Sequence, residues 1–447
     1  MEFKKLSFGT DGVRGKVGDA GISPEFVLRL GMVAGKVFSS FSNKPSVILG
    51  RDTRISGQML ESALQAGFIS AGVDVLLAGC LPTPAIAYLT KSMRLTSGIV
   101  ISASHNSYHD NGIKFFDGDG NKLPDQIEQK IESTFNDHSF SNSSTVLGTV
   151  NQLNDSVGRY IEFCKGTFPS QLSLSGLHII VDAAHGASSG VIEAVLMELG
   201  ARVTSIASSP NGKNINKNVG TTFPENITKA VIKFSGDFGI ALDGDGDRFL
   251  VVDDKGKIFQ GDELLYSIAK DMVRINGLSN VQGVVGTLMS NFGLEKSFQD
   301  MGLEFRRSRV GDRFIAEMLR QTGWNLGGET SGHILNLNFH STGDGIINSL
   351  QILAILINSD VTLSEWTDEL DLFPQFLLNV PISKFPNWHQ NQEFLRVQNK
   401  IGLKLKNKGR LLVRPSGTEP LLRIMVETSN ENLSESLALE LKASLKN

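Results

Sequence analysis

Apolar and polar positions alternate along this chain in a pattern that recurs three times. Residues 46–49 form a short β-branched, apolar run. A helix-period segment follows at 58–70, then Ala71-Gly-Val-Asp-Val. The second copy begins at 177–181, continues through a helical stretch at 189–199 and closes on Leu199-Gly-Ala-Arg-Val. The third begins at 281–285, continues through 294–300 and closes on Met301-Gly-Leu-Glu-Phe. Each copy reads strand, loop, helix, glycine, strand, which is a βαβ unit. Continuous apolar strands suit a parallel sheet covered on both faces. Repetition near every 100 residues predicts three related α/β domains rather than a short-period solenoid.

The last segment has another rhythm. Strands are predicted at 377–382, 411–413 and 421–426, with helices at 390–400 and 432–445. That is a smaller α+β unit. Polar residues 136–145 mark a linker, and softer boundaries fall near 253–261 and 368–374. The predicted domains are therefore 1–150, 151–255, 256–370 and 371–447, consistent with the about three or four that 447 residues would suggest.

Composition removes some function classes. Forty-three basic and 47 acidic residues give a net charge of −4, without the basic excess typical of a nucleic-acid binder. No apolar run reaches the roughly 18 residues that span a bilayer. The first residues carry no apolar signal region, and the two cysteines, Cys80 and Cys164, have no metal or redox spacing. A cytoplasmic protein is expected. The 46 glycines cluster in short loops, and those loops hold the chemistry.

Residues 241–250 place Asp243, Asp245 and Asp247 at i, i+2, i+4 between two apolar strands. Interleaved glycines let all three carboxylates face one point. Such a cluster needs a cation as counter-charge, and open coordination positions suit Mg²⁺. An ordinary turn has no use for the third aspartate, and Arg248 occupies the sixth position, where an EF-hand needs glycine. A second run, Asp117-Gly-Asp-Gly-Asn with Glu128 eleven residues on, reads as a turn, because Lys122 takes its sixth position.

Residues 99–114 run from an apolar strand into Ser102-Ala-Ser-His-Asn-Ser and back to an apolar strand. Ser104 reads equally well as a nucleophile at a strand end or as a capping serine. No Gly-x-Ser-x-Gly elbow surrounds it, and a neighbouring His105 on a strand would point away from it. His105 and His109 lack the glutamate of a zinc-protease helix. Residues 414–423 offer Arg414, Ser416, Gly417, Thr418 and Arg423 as a tight loop with flanking arginines, matched to a phosphate dianion. Gly327-Gly-Glu-Thr-Ser-Gly-His offers Glu329 and Ser331 for sugar hydroxyls, or is a plain polar loop. Phe8-Gly-Thr-Asp-Gly-Val-Arg-Gly matches neither common nucleotide loop; Arg14 there is an anion contact or a surface ion-pair partner.

Taken together and in this order, the loops resemble those of the α-D-phosphohexomutase superfamily, and those of its phosphoglucosamine mutase branch in particular. The resemblance spans almost the whole chain. It implies three related α/β domains with mixed sheets plus a smaller C-terminal α+β domain around a central cleft. It implies interconversion of glucosamine 6-phosphate and glucosamine 1-phosphate through a phosphoserine and a bisphosphorylated sugar. Glucose or mannose phosphates as substrates, and a Mg²⁺-dependent sugar phosphatase, are the alternatives. By position, Ser104 matches the phosphoserine, and Asp243, Asp245 and Asp247 match Mg²⁺ ligands, with the phosphoserine oxygen as a further ligand. Glu329 and Ser331 match sugar contacts. Arg414, Ser416, Gly417 and Thr418 match the clamp on the distal phosphate, with Arg423 beside it. Lys114 and His105 match acid/base or phosphate contacts, and Arg14 and Arg248 match site arginines. Ser107 stands where the family usually has proline, which implies a looser loop. The resemblance further implies a sugar 1,6-bisphosphate as activator, a hexosamine phosphate as ligand, and a homodimer as the assembly.

Overall fold

The computed structural model describes residues 5–19, 21–137, 139–141, 146–415 and 420–445. Its four sheets follow one another along the chain. The first has six strands in the order Val13–Lys16, Asp110–Phe116, Ser97–Ile101, Ser46–Arg51, Asp74–Cys80, Val150–Gln152. The second has five: Ile258–Phe259, Phe249–Asp253, Phe238–Leu242, His178–Asp182, Arg202–Ile206. The third has four: Glu304–Ser308, Gly283–Thr287, Leu326–Gly328, Ile334–Asn336.

These three sheets share one plan. A central strand pairs in parallel with the strand that follows its crossover helix, and on its other side with a third parallel strand. That third strand then turns back as an antiparallel hairpin. The sheets are therefore mixed. The hairpin turns, 102–109, 243–248 and 329–333, all lie at the carboxyl end of the third parallel strand, where open α/β sheets place their ligands.

Local sequence explains the helices that cover the sheets. Pro24–Phe38 starts at Ser23, whose hydroxyl accepts from Phe26 N, with proline at the first helical position. Its Phe26, Val27, Leu30, Val33, Ala34 and Val37 recur at helical spacing and are buried. Asp344 caps Gly345–Ser359, accepting from Ile346 N and Ile347 N.

The fourth sheet is antiparallel, ordered Gln375–Pro381, Leu421–Thr428, Gly409–Pro415, with helices Gln392–Leu405 and Glu431–Ala443 packed on it. Its core, including Val380, Phe394, Ile401, Ile424 and Leu441, is separate. One large apolar cluster runs instead through the first three units, from Ile48 and Phe116 through Ile179 and Phe249 to Val284 and Ile347.

Two sequence expectations change. The polar stretch 136–145 does not lead out of the first unit, because the chain returns as the edge strand Val150–Gln152, Val75 pairing with Val150. The first sheet accordingly extends two residues past 150. Residues 138 and 142–145 of that stretch lie outside the described residues. The Asp117 run is a turn: Asp117 N donates to Asn121 O, its Oδ1 accepts from Asp119 N and Asn121 N, and Glu128 pairs with Arg313.

Candidate active site

The 243–248 loop is folded by its first aspartate. Asp243 Oδ1 accepts from Gly246 N at 3.1 Å and Arg248 N at 3.2 Å, with Gly246 at φ +74°. That leaves Asp243 Oδ2 pointing out of the loop. Asp243, Asp245 and Asp247 are all buried, with one carboxylate oxygen of each within 4.8 Å of the others. Burial, then Asp247 and Asp245, push the Asp243 carboxyl well above its ordinary range. Asp245 Oδ1 is buried with no hydrogen-bond partner among the described residues. An orphaned carboxylate oxygen inside a like-charged cluster is the donor set of a hard divalent cation.

The other domains converge on this loop. Ser104 Oγ donates to Asp243 Oδ2 at 2.6 Å, and Ser104 itself is buried. Lys114, on strand Asp110–Phe116, reaches Asp245 Oδ2 at 2.8 Å, Asp11 Oδ2 at 3.0 Å and Asp247 Oδ2 at 3.3 Å. Burial opposes its charge, but those three carboxylates raise the ammonium well above its ordinary value. Thr83 Oγ1 donates to Asp245 Oδ2 at 2.6 Å. His333, from the third hairpin turn, lies 3.5 Å from Asp247 Oδ1 and 3.6 Å from Asp312 Oδ2. Against its burial, Asp247 and Asp312 raise it to about 9.

His105 overturns one expectation. Ser104 is not on a strand: its φ is +51°, a left-handed conformation that costs about 1 kcal/mol or more outside glycine. That twist turns successive side chains together, and His105 Nδ1 lies 3.3 Å from Ser104 Oγ. Burial, then Arg248 and Arg14, lower His105 to about 4. Arg14 pairs with Asp11, and its charge is also felt by Asp245 and Asp247. Arg248 is surrounded by Asp247, Asp243 and Glu329, which hold its proton against burial.

Glu329 accepts from Gly311 N at 2.8 Å and lies 3.5 Å from Ser331 Oγ. The turn depends on Gly332, at φ +87°, where a Cβ would fall 2.0 Å from Phe249 O. The hairpin of the second domain and the turn of the third are in backbone contact there, through Phe249 N donating to Gly332 O.

Arg414 and Arg423 stand apart from this cluster, on the fourth sheet. They are direct cross-strand partners, and Arg414 Nη2 touches Met289 Sδ of the third domain at 3.7 Å. Burial and Arg423 lower Arg414. Two like charges set opposite one another on a sheet are unfavourable, and an anion held between them would remove the penalty. Ser416, Gly417 and Thr418 lie outside the described residues.

Sequence reasoning left out Asp11, Thr83, His333 and the buried pair Asp52 and Arg54. Asp11 and His333 lay inside runs already singled out; Thr83, Asp52 and Arg54 carry no spacing signal.

The chain was compared with known proteins. Residues 5–142, 158–256, 260–373 and 377–444 match the models of phosphoglucomutase/phosphomannomutase α/β/α domains I, II and III and the C-terminal domain, in that order. The chain belongs to the phosphoglucomutase/phosphomannomutase family. Among its phosphoglucomutase/phosphomannomutase relatives, a phosphoglucosamine mutase of Janthinobacterium sp. (strain Marseille) is 51% identical over 441 residues, covering 98% of each chain. A Burkholderia thailandensis phosphoglucomutase/phosphomannomutase family protein shares the fold with a TM-score of 0.81 at 23% identity, covering 98% of this chain and 96% of that one. The Aspergillus fumigatus N-acetylphosphoglucosamine mutase, solved with GlcNAc-6P and magnesium, shares it with a TM-score of 0.65 at 17% identity, covering 99% of this chain and 95% of that one.

Proposed function

We propose that the chain interconverts glucosamine 6-phosphate and glucosamine 1-phosphate, with Ser104 as the carrier of the transferable phosphoryl group. The observation that carries the reading is Ser104 Oγ set 2.6 Å from Asp243, inside a buried aspartate triad. End-to-end similarity to a phosphoglucosamine mutase supports the choice of sugar.

In the first step the free sugar hydroxyl attacks the phosphorus on Ser104. The bond from phosphorus to Ser104 Oγ breaks, a bond to the sugar oxygen forms, and in net terms the sugar hydroxyl's proton ends on Ser104 Oγ, which leaves as a free hydroxyl. His105 Nδ1, 3.3 Å from Ser104 Oγ, is placed to exchange a proton with that oxygen. The bisphosphorylated sugar turns over in the cleft, and its other phosphate returns to Ser104. Asp243, Asp245 and Asp247, with phosphorylated Ser104 beside them, would hold Mg²⁺, which would supply charge neutralisation at the transferring phosphoryl group. Lys114, Arg14 and Arg248 add positive charge around it.

Glu329 and Ser331 orient the sugar hydroxyls. Arg414, Arg423 and residues Ser416, Gly417 and Thr418 hold the distal phosphate. An arginine fork suits this task because it must accept either end of the sugar. A sugar 1,6-bisphosphate primes Ser104. The four units, the first running through its edge strand Val150–Gln152, each contribute one loop to the cleft. The reading places the enzyme in the cytoplasm as a homodimer; among the described residues no helix is long and apolar enough to cross a membrane.

Ser104→Ala tests the assignment. With Mg²⁺ and a hexose 1,6-bisphosphate present, turnover should fall by roughly a thousandfold or more while the thermal midpoint holds, the loss expected when a covalent carrier is removed. Appreciable mutase activity in that variant would take the phosphoryl group away from Ser104.

A further inference from the structure

Ser104 keeps a left-handed backbone and points at a loop of another domain, and something must hold it there. Arg54 is fully buried, and its hydrogen bonds go to Asp52 and the serine turn rather than to the aspartate triad. Its Nε donates to Asp52 Oδ2 at 2.8 Å. Its two terminal nitrogens donate to four carbonyls of the serine turn: Ser104 O at 2.8 Å, Asn106 O at 2.9 Å, Asp110 O at 3.1 Å, and Ser107 O. Asp52 in turn accepts from Ser102 Oγ, which receives Ser104 N.

The second domain grips the same carbonyls. Asn216 Nδ2 donates to Ser104 O at 2.8 Å and to Asn106 O at 3.0 Å. Asn216 has φ +57°, a conformation asparagine tolerates. Gly244 leaves the room for this: a Cβ there would lie 2.7 Å from both Ser104 O and Asn216 Nδ2. The segment carrying Arg54 is also tied to the second domain, through Ile55 N to Gly212 O and Thr53 Oγ1 to His185 O.

We propose that Arg54 and Asn216 are positioning residues for the phosphoryl-transfer reaction, a clamp from two domains on the Ser104 and Asn106 carbonyls that fixes Ser104 Oγ against Asp243. The inference rests on the function proposed above. The clamp holds backbone rather than side chains, so it fixes where Oγ sits without competing for its chemistry. Misplacing a reacting atom by about 1 Å costs on the order of a hundredfold in rate.

The test uses the full chain with Mg²⁺ and a hexose 1,6-bisphosphate. Asn216→Gly keeps the backbone conformation and removes the amide. Arg54→Lys keeps a cation against Asp52 but gives up the fork, so a role limited to that ion pair would be rescued by it. Each variant should lose roughly 10- to 100-fold in kcat with KM for glucosamine 6-phosphate within about threefold. Amide hydrogen exchange of residues 102–110 should be faster in both, with the thermal midpoint of Asn216→Gly unchanged. Wild-type kcat in Asn216→Gly, or full rescue by Arg54→Lys, overturns the clamp. If the unaltered protein turns over no hexosamine phosphate, the proposed function fails, and the exchange measurement still decides: faster exchange supports the clamp and unchanged exchange overturns it.

Discussion

At the scale of single residues, the site is organised by unbalanced charge. Asp245 has unequal oxygens: Lys114 and Thr83 take Oδ2, while Oδ1 has no hydrogen-bond partner among the described residues. Asp245→Asn keeps the shape and removes the charge. It should weaken Mg²⁺ binding by roughly tenfold or more, read as a rise in the Mg²⁺ concentration needed for half-maximal turnover. An unchanged Mg²⁺ requirement would place the cation elsewhere. Much of this was legible in the chain, because Asp243, Asp245 and Asp247 at every second position between strands have little structural use. The conformation of Ser104 was not legible. A strand-end serine and a serine at φ +51° look alike in sequence, and only the second brings His105 alongside. Asp52 and Arg54 were equally silent, since an i, i+2 acid–base pair is ordinary on a surface and gains meaning only through burial.

At the scale of elements, the repeated strand–helix–strand units were readable because buried parallel strands are written as continuous apolar runs. What those runs do not show is that the strands flanking each chemistry-bearing loop are a third parallel strand and its antiparallel return. Strands Phe238–Leu242 and Leu326–Gly328 are short and glycine-bearing, so they carry little periodicity. Yet the turns that follow them, with 102–109, are equivalent in position, and that equivalence explains why three loops far apart in sequence meet. Residues 136–145 mislead for the opposite reason. The chain's return as Val150–Gln152 depends on a pairing with Asp74–Cys80 that no local signal encodes.

At the scale of the molecule, three domains share a core and the fourth keeps its own. His340 sits where the first three meet. It is buried, its Nε2 donates to Pro84 O at 2.9 Å, its Nδ1 accepts from Thr342 N, and its ring lies edge-on to Phe163 at 5.3 Å. Burial lowers it to about 4. The folded protein therefore resists a proton that the unfolded chain takes up near pH 6.5. The stability this site contributes is complete above that pH and is lost progressively as pH falls towards 4. The loss over that window is on the order of 3 kcal/mol. His340→Gln should flatten that part of the pH–stability curve, measured by denaturant unfolding; a curve of unchanged slope would remove His340 from the account. The fourth domain is attached differently, through contacts such as Arg410 to Leu288 O and Ser290 O and Arg414 to Met289 Sδ. If Arg414 and Arg423 hold the distal phosphate as proposed above, a domain with its own core is suited to close over the ligand.

The central claim is that a phosphoryl group passes between Ser104 and the two ends of one sugar. ³¹P NMR of glucosamine 6-phosphate with the protein, Mg²⁺ and a trace of hexose 1,6-bisphosphate reads this directly. The account predicts a growing glucosamine 1-phosphate resonance that settles at equilibrium, with total sugar phosphate conserved. Accumulation of inorganic phosphate with no 1-phosphate would contradict it and identify a phosphatase instead.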